Sequence, residues 1–186
     1  YKSVHEQKKG TAKKIKSFVG NGGFLFAMCS ATDSYDIALS MDSYDGAHKV
    51  FDGTSIDPKI QSNLDFSKSF AFTDFKIITD PMIYEFSDID LPPSHNPVSR
   101  GAQADYFSLF EFSAKYDPVP TMLTQNHTSI IKGFMGQTTG FHKSKIKNHI
   151  LIMGEDPATD QVKYIHGNFG KGTFTFYGGH DPEDYQ

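Results

Sequence analysis

Cys29 is the only cysteine in the 186 residues, and it stands where the sequence changes period. Before it, Phe24-Leu25-Phe26-Ala27-Met28 is wholly apolar and bounded by Gly22-Gly23. Such a run predicts a short strand buried on both faces. After it, residues 30–41 carry Ala31, Tyr35, Ala38 and Leu39 at helical spacing. A thiol on a sharp strand-to-helix turn is an exposed nucleophile. The turn lifts it above the carboxyl end of the strand, and the free N–H groups of the helix start favour thiolate over thiol. Strand and helix nearly collide at such an elbow, so small residues are needed two before and two after the nucleophile. Ala27 and Ala31 meet that need. The Ser30 N–H, with Gly22 and Gly23, supplies candidate backbone contacts for an oxyanion. The bland alternative is a buried cysteine that packs as a small hydrophobe.

A thiolate nucleophile wants a base, and the base wants an orienting group. Of the eight histidines, His180 follows the apolar run at 173–177 and the pair Gly178-Gly179, then leads into Asp181-Pro182-Glu183-Asp184. A histidine just past a strand end can reach the thiolate, with Glu183 or Asp181 holding its other nitrogen. Against this, Asp181-Pro182 is also a good helix start. Asn126 and His127 could line a pocket from a turn. His5, His48, His95, His142 and His149 read as solvated surface, and His166 as a hydrogen-bonded core residue. The histidines show no short metal-ligand spacing and Cys29 has no cysteine partner, so neither a metal nor a cofactor is expected.

The elements that must position these residues follow from periodicity. Residues 11–19 form an amphipathic helix closed by Gly20, and Asn21-Gly22-Gly23 turns into the strand. Residues 42–65 are a long polar excursion. Residues 66–75 alternate and predict a half-exposed strand. Prolines at 92, 93 and 97 mark a surface loop over 87–105. Strands are expected at 106–113, 129–135, 149–153, 162–166 and 173–177, the last two as a hairpin. Helix, strand and helix in 30 residues is the grammar of a doubly wound α/β sheet in one domain over residues 1–186.

Composition narrows the partners. Hydrophobic residues are 38% and charged residues 22%, the balance of a globular chain, and the net charge is −4 without charged blocks. Arg100 is the sole arginine, which argues against nucleic acid. No run approaches the roughly 20 apolar residues of a membrane span. A small-molecule substrate or ligand is the expected partner, and the sequence leaves oligomeric state open. One cysteine excludes an internal disulfide, compatible with cytoplasm or periplasm.

Gly22-Gly23-Phe24-Leu25-Phe26-Ala27-Met28-Cys29 resembles the glycine pair, strand and elbow of the class I glutamine amidotransferase-like superfamily. The tail, with Phe169-Gly170-Lys171-Gly172 and Gly179-His180-Asp181-Pro182-Glu183, looks like its ThuA-like (trehalose utilisation) branch. The chain also resembles bacterial proteins labelled asparagine synthetase B-like. The resemblance implies a flavodoxin-like three-layer sandwich with a mainly parallel sheet, Cys29 as nucleophile and His180 as base. The elbow normally follows several sheet units, so earlier βα units are expected to be missing from this sequence. The activity implied is a cysteine-dependent hydrolase or amide-group transferase. The alternative is a non-catalytic module that keeps the fold and binds a ligand such as a carbohydrate.

Overall fold

The structure, a computed structural model, describes residues 1–83, 85–91, 106–109, 130–132, 140–156 and 160–178. Helix α1 spans Val4–Gly20 and begins well before its apolar periodicity does. Its start is set by a cap: the Ser3 hydroxyl accepts from Glu6 N–H, and the Glu6 carboxylate accepts from Lys2 N–H. It ends where Asn21 N–H returns to Ser17 and Val19 carbonyls and Gly22 turns at φ 111°. That turn packs on the hairpin near the chain's end so tightly that a Cβ at Gly172 would sit 2.1 Å from the Val19 carbonyl oxygen.

Strand β1 (Phe24–Met28) leads through Cys29 and Ser30 into α2 (Ala31–Ser40), and a short α3 (Lys49–Asp52) follows. The remaining strands are β2 (Tyr106–Leu109), β3 (Ile130–Lys132), β4 (Phe141–His142), β5 (Leu151–Glu155), β6 (Gln161–Phe169) and β7 (Gly172–Tyr177). They join in one sheet of order β1-β7-β6-β5-β2-β3, with β4 also pairing β6. The fold is therefore α/β, but the expected mainly parallel sheet is wrong. Among the described residues only β1 and β7 run parallel, from Phe24 opposite Thr173 to Met28 opposite Tyr177, and the other ladders are antiparallel. Connection length is the reason. β7 follows β6 through a two-residue turn, which permits only an antiparallel return, whereas parallel neighbours need a long crossover.

Two further expectations fail for reasons of packing. β1 is buried on one face only: Ala27 is buried, whereas Phe24 and Phe26 are 54% and 46% exposed at the end of the strand order. Residues 66–75 are not a half-exposed strand. A 3-10 turn at Phe66–Lys68 is followed by an irregular segment in which Phe70, Ala71, Phe72 and Phe75 are all buried. Its apparent alternation came from Phe70 and Phe72 entering the core, where the Phe70 ring lies 5.0 Å from Phe174 and the Phe72 ring 5.0 Å from Phe141.

Backbone buried outside regular structure must find acceptors elsewhere. Asp36, fully buried on α2, provides them, accepting the N–H groups of Phe70, Ala71 and Phe72 at 2.5, 2.7 and 2.8 Å. We expect Asp36→Ala to orphan all three donors and destabilise the protein by at least about 3 kcal/mol. Urea unfolding of the variant checks this, and a midpoint equal to wild type would contradict it.

Candidate functional site

The site is built on the one parallel pair. Because β1 and β7 run the same way, their carboxyl ends finish side by side, and Cys29 N–H donates to the Tyr177 carbonyl at 3.1 Å. Cys29 then turns into the left-handed region at φ 58°. A residue with a Cβ adopts that conformation at a cost of about 1–2 kcal/mol, so the surrounding structure must hold it there. The cysteine carbonyl is tied down in turn, accepting from Thr32 N–H at 3.0 Å and from the Thr32 hydroxyl at 2.7 Å. Ser30 caps α2 in helical conformation, and its carbonyl accepts from Ser34 N–H. A strand, a left-handed cysteine and a helix follow one another directly, with Ala27 two residues before Cys29 and Ala31 two after.

The thiol is not exposed, however. Cys29 retains 8% of its accessible surface, which corrects the expectation of an exposed nucleophile. Two carboxyl groups bury themselves beside it. Asp33, one turn along α2, is fully buried, and Asp90 is 7% exposed. Asp90 lies on a segment held against β4: it bridges to Phe141, and His142 N–H donates to the Ile89 carbonyl at 2.9 Å. Among the described residues no hydrogen bond of ordinary geometry reaches either Asp33 oxygen or Asp90 Oδ1. The Asp33 and Ser34 N–H groups at the start of α2 still pull on the Asp33 carboxyl, although Ser34 N–H bonds to the Ser30 carbonyl. Asp33 and Asp90 are near enough for each to affect the other's titration. Burial pushes Asp33 well above the usual carboxylate range. Burial pushes Asp90 up too, and there the negative charges of Asp33, Glu85 and an ionised Cys29 add to it.

The structure does not bring Gly22 and Gly23 to Cys29. They lie at the far end of β1, a five-residue strand of about 17 Å, and their N–H groups close α1 on the Val19 and Phe18 carbonyls. Among the proposed oxyanion contacts only Ser30 adjoins the thiol. His180, Asp181, Glu183, Asn126 and His127 lie outside the described residues. The chain is described as far as Gly178, whose N–H donates to the Lys163 carbonyl at 2.7 Å directly after the Tyr177 that pairs with Cys29. His166 is the core histidine expected, 2.9 Å from the Thr175 hydroxyl. Among the described residues no group of three His, Cys, Asp or Glu could hold a metal, and no helix is long and apolar enough to cross a membrane.

Sequence reasoning missed Asp33 and Asp90. Asp33 had a signal, since it falls four residues after Cys29 and one turn before Ile37, among residues that pack inward. Asp90, 61 positions away, had none. No protein-family model and no curated protein matches the chain.

The buried acids set a pH dependence. Their folded-state pKa values lie above the unfolded value of about 4, so the stability they confer is complete below that value. It is lost as pH rises through the elevated folded values. Burial likewise pushes Asp36 up to about 6, against the pull of its three N–H donors. We expect unfolding free energy to fall between pH 5 and pH 8, by up to about 1.4 kcal/mol per pH unit for each proton released. Asp33→Asn should flatten that slope. Urea titrations across the range test it, and stability that rises over the same interval would contradict the assignment.

Proposed function

We propose that the protein is a cysteine-dependent hydrolase or amide-group transferase of the glutamine amidotransferase-like kind. Cys29 is its nucleophile, His180 its base, and Glu183 or Asp181 orients the imidazole. The observation that carries this reading is the left-handed Cys29 between β1 and α2. An elbow keeps a strained backbone because it aims a side chain, and a purely packing cysteine has no need of it. The parallel β7 supports the same reading, since it delivers the chain to Gly178 beside the cysteine. In this chemistry the sulfur attacks a carbonyl carbon, and the Ser30 N–H with a second donor stabilises the oxyanion. The substrate is a small molecule with an amide or ester carbonyl.

The second reading is a non-catalytic binding module, possessing the same elbow but no activated thiol. One observation favours it: Cys29 is 8% exposed beside two buried carboxyls, whose negative charge opposes a thiolate.

Acyl transfer from an activated ester such as p-nitrophenyl acetate separates the two. The hydrolase reading expects a burst of one acyl group per chain, lost in Cys29→Ser, with turnover in His180→Ala reduced about a hundredfold or more. Acylation that persists in Cys29→Ser, or none at all in the native protein, would leave the binding module.

A further inference from the structure

Among the described strands β1 ends the order and pairs only with β7, which leaves it an open edge. Two bonds fix the direction of its backbone groups. Thr173 N–H donates to the Gly23 carbonyl and Cys29 N–H to the Tyr177 carbonyl, both at 3.1 Å. The N–H and C=O of one strand residue point to the same side, and successive residues alternate. Gly23, Leu25, Ala27 and Cys29 therefore face β7, and Phe24, Phe26 and Met28 turn their N–H and C=O groups outward. Among the described residues no strand meets these groups.

The side chains make the same edge apolar. Phe24 and Phe26 are exposed, and so is Phe18 at the end of α1. The Phe18 ring lies against Gly23, 2.3 Å from where a Cβ would stand, so it borders the strand. No charged residue occurs from Asn21 to Ser30. Open edges are ordinarily guarded by a lysine, a proline or a bulge. β1 contains neither residue and runs against β7 without a register shift.

We propose that this edge is a dimer interface, in which β1 pairs antiparallel with β1 of a second copy of the chain about a two-fold axis through Phe26. Hydrogen bonding selects that register. The three outward residues lie two apart with Phe26 in the centre, so the axis sets Phe26 opposite the partner's Phe26, and Phe24 opposite the partner's Met28. Opposed residues of this kind exchange two N–H···O bonds. The three pairs then satisfy every outward N–H and C=O group of β1 in both copies. Moving the axis by one residue leaves either Phe24 or Met28 without a strand partner, opposite a residue outside β1. Directly opposed side chains share a face of the sheet. The two Phe26 rings therefore meet, each Phe24 meets a methionine, and no like charges are opposed within the strand. The pairing also sets the partner's Phe24 opposite Met28, one residue before Cys29.

The area available fixes the strength. With about 200 Å² for a whole phenylalanine, Phe18, Phe24 and Phe26 leave roughly 300 Å² exposed in each copy. Two copies bury about 600 Å² of ring beside the strand backbone, against the ~1,200 Å² of a standard stable interface. The dimer is therefore weak and concentration-dependent. It is independent of the reading of Cys29 as a nucleophile.

Sedimentation velocity on the 186-residue protein, from micromolar to near-millimolar concentration, is the test. The average mass should rise from the 20.8 kDa of one chain towards twice that value. Phe26→Lys sets two like charges opposite each other at the axis and should hold the protein at one chain throughout, with an unchanged urea midpoint because the residue is exposed. A mass of one chain at every concentration of wild type overturns the dimer and leaves the edge to a strand from another protein. Association that persists in Phe26→Lys overturns it too, because another surface then carries it. A cross-link reads the register directly, and decides the matter should Phe26→Lys fail to fold. Opposed Cα atoms of such a pair lie about 5.5 Å apart, within the span of a disulfide. Phe26→Cys combined with Cys29→Ser should form a covalent dimer under mild oxidation. Thr11→Cys in the same background, exposed on α1, should not. Equal cross-linking by the two, or none by Phe26→Cys in a protein that associates, overturns the pairing.

Discussion

The parallel ladder between β1 and β7 is the contact on which the arrangement around Cys29 depends. Its register fixes Met28 opposite Tyr177, and the ladder's last bond, from Cys29 N–H to the Tyr177 carbonyl, fixes where β1 stops. Once that bond is made, the chain has to reverse into α2 within two residues, and Cys29 absorbs the turn with φ 58°. The Thr32 bonds to the Cys29 carbonyl then secure the first turn of the helix. The ladder is also the most non-local of the pairings, joining residues near 26 to residues near 175. The site therefore forms only when these two distant segments have come together.

A second constraint acts on the side of the sheet covered by α2. The segment from Phe70 to Phe72 enters the core outside helix and strand, and its three N–H groups are satisfied by one carboxylate, Asp36. That lets Phe70 and Phe72 pack against Phe174 and Phe176 under the β1–β7 pair. The rings fill the interior, while Asp36 meets the polar demand their backbone creates. α2 thus holds the cysteine at its start and the core segment at its middle.

Between these two supports lies the expensive part of the molecule. A left-handed cysteine and two buried carboxyls, Asp33 and Asp90, are local features that oppose stability. Sequences usually agree with their fold at every level, and departures gather where function is carried out. The coincidence gives the junction of β1 and α2 its interest.

Much of this was legible before any coordinates. Sequence pattern alone was enough for the α1–β1–α2 order, with Cys29 at the strand-to-helix junction, and for the β6–β7 hairpin, because periodicity and glycine turns act over a few residues. It also marked His166 as a core histidine, through its place within an apolar strand. Tertiary structure alone decided the rest. Sheet direction depends on which strands meet, and the hairpin turns made the sheet mixed where sequence grammar suggested parallel. The alternation at residues 66–75 looked like a strand, but Asp36 captured that backbone, which keeps only an isolated bridge from Phe72 to Ile146. Gly22 and Gly23 looked like oxyanion donors until β1 separated them from the thiol by its own length. The carboxyl pair needed Asp90 to cross 57 residues of sequence to reach Asp33. The burial that raises both carboxyls is a property of the folded interior and of neither residue's sequence neighbourhood.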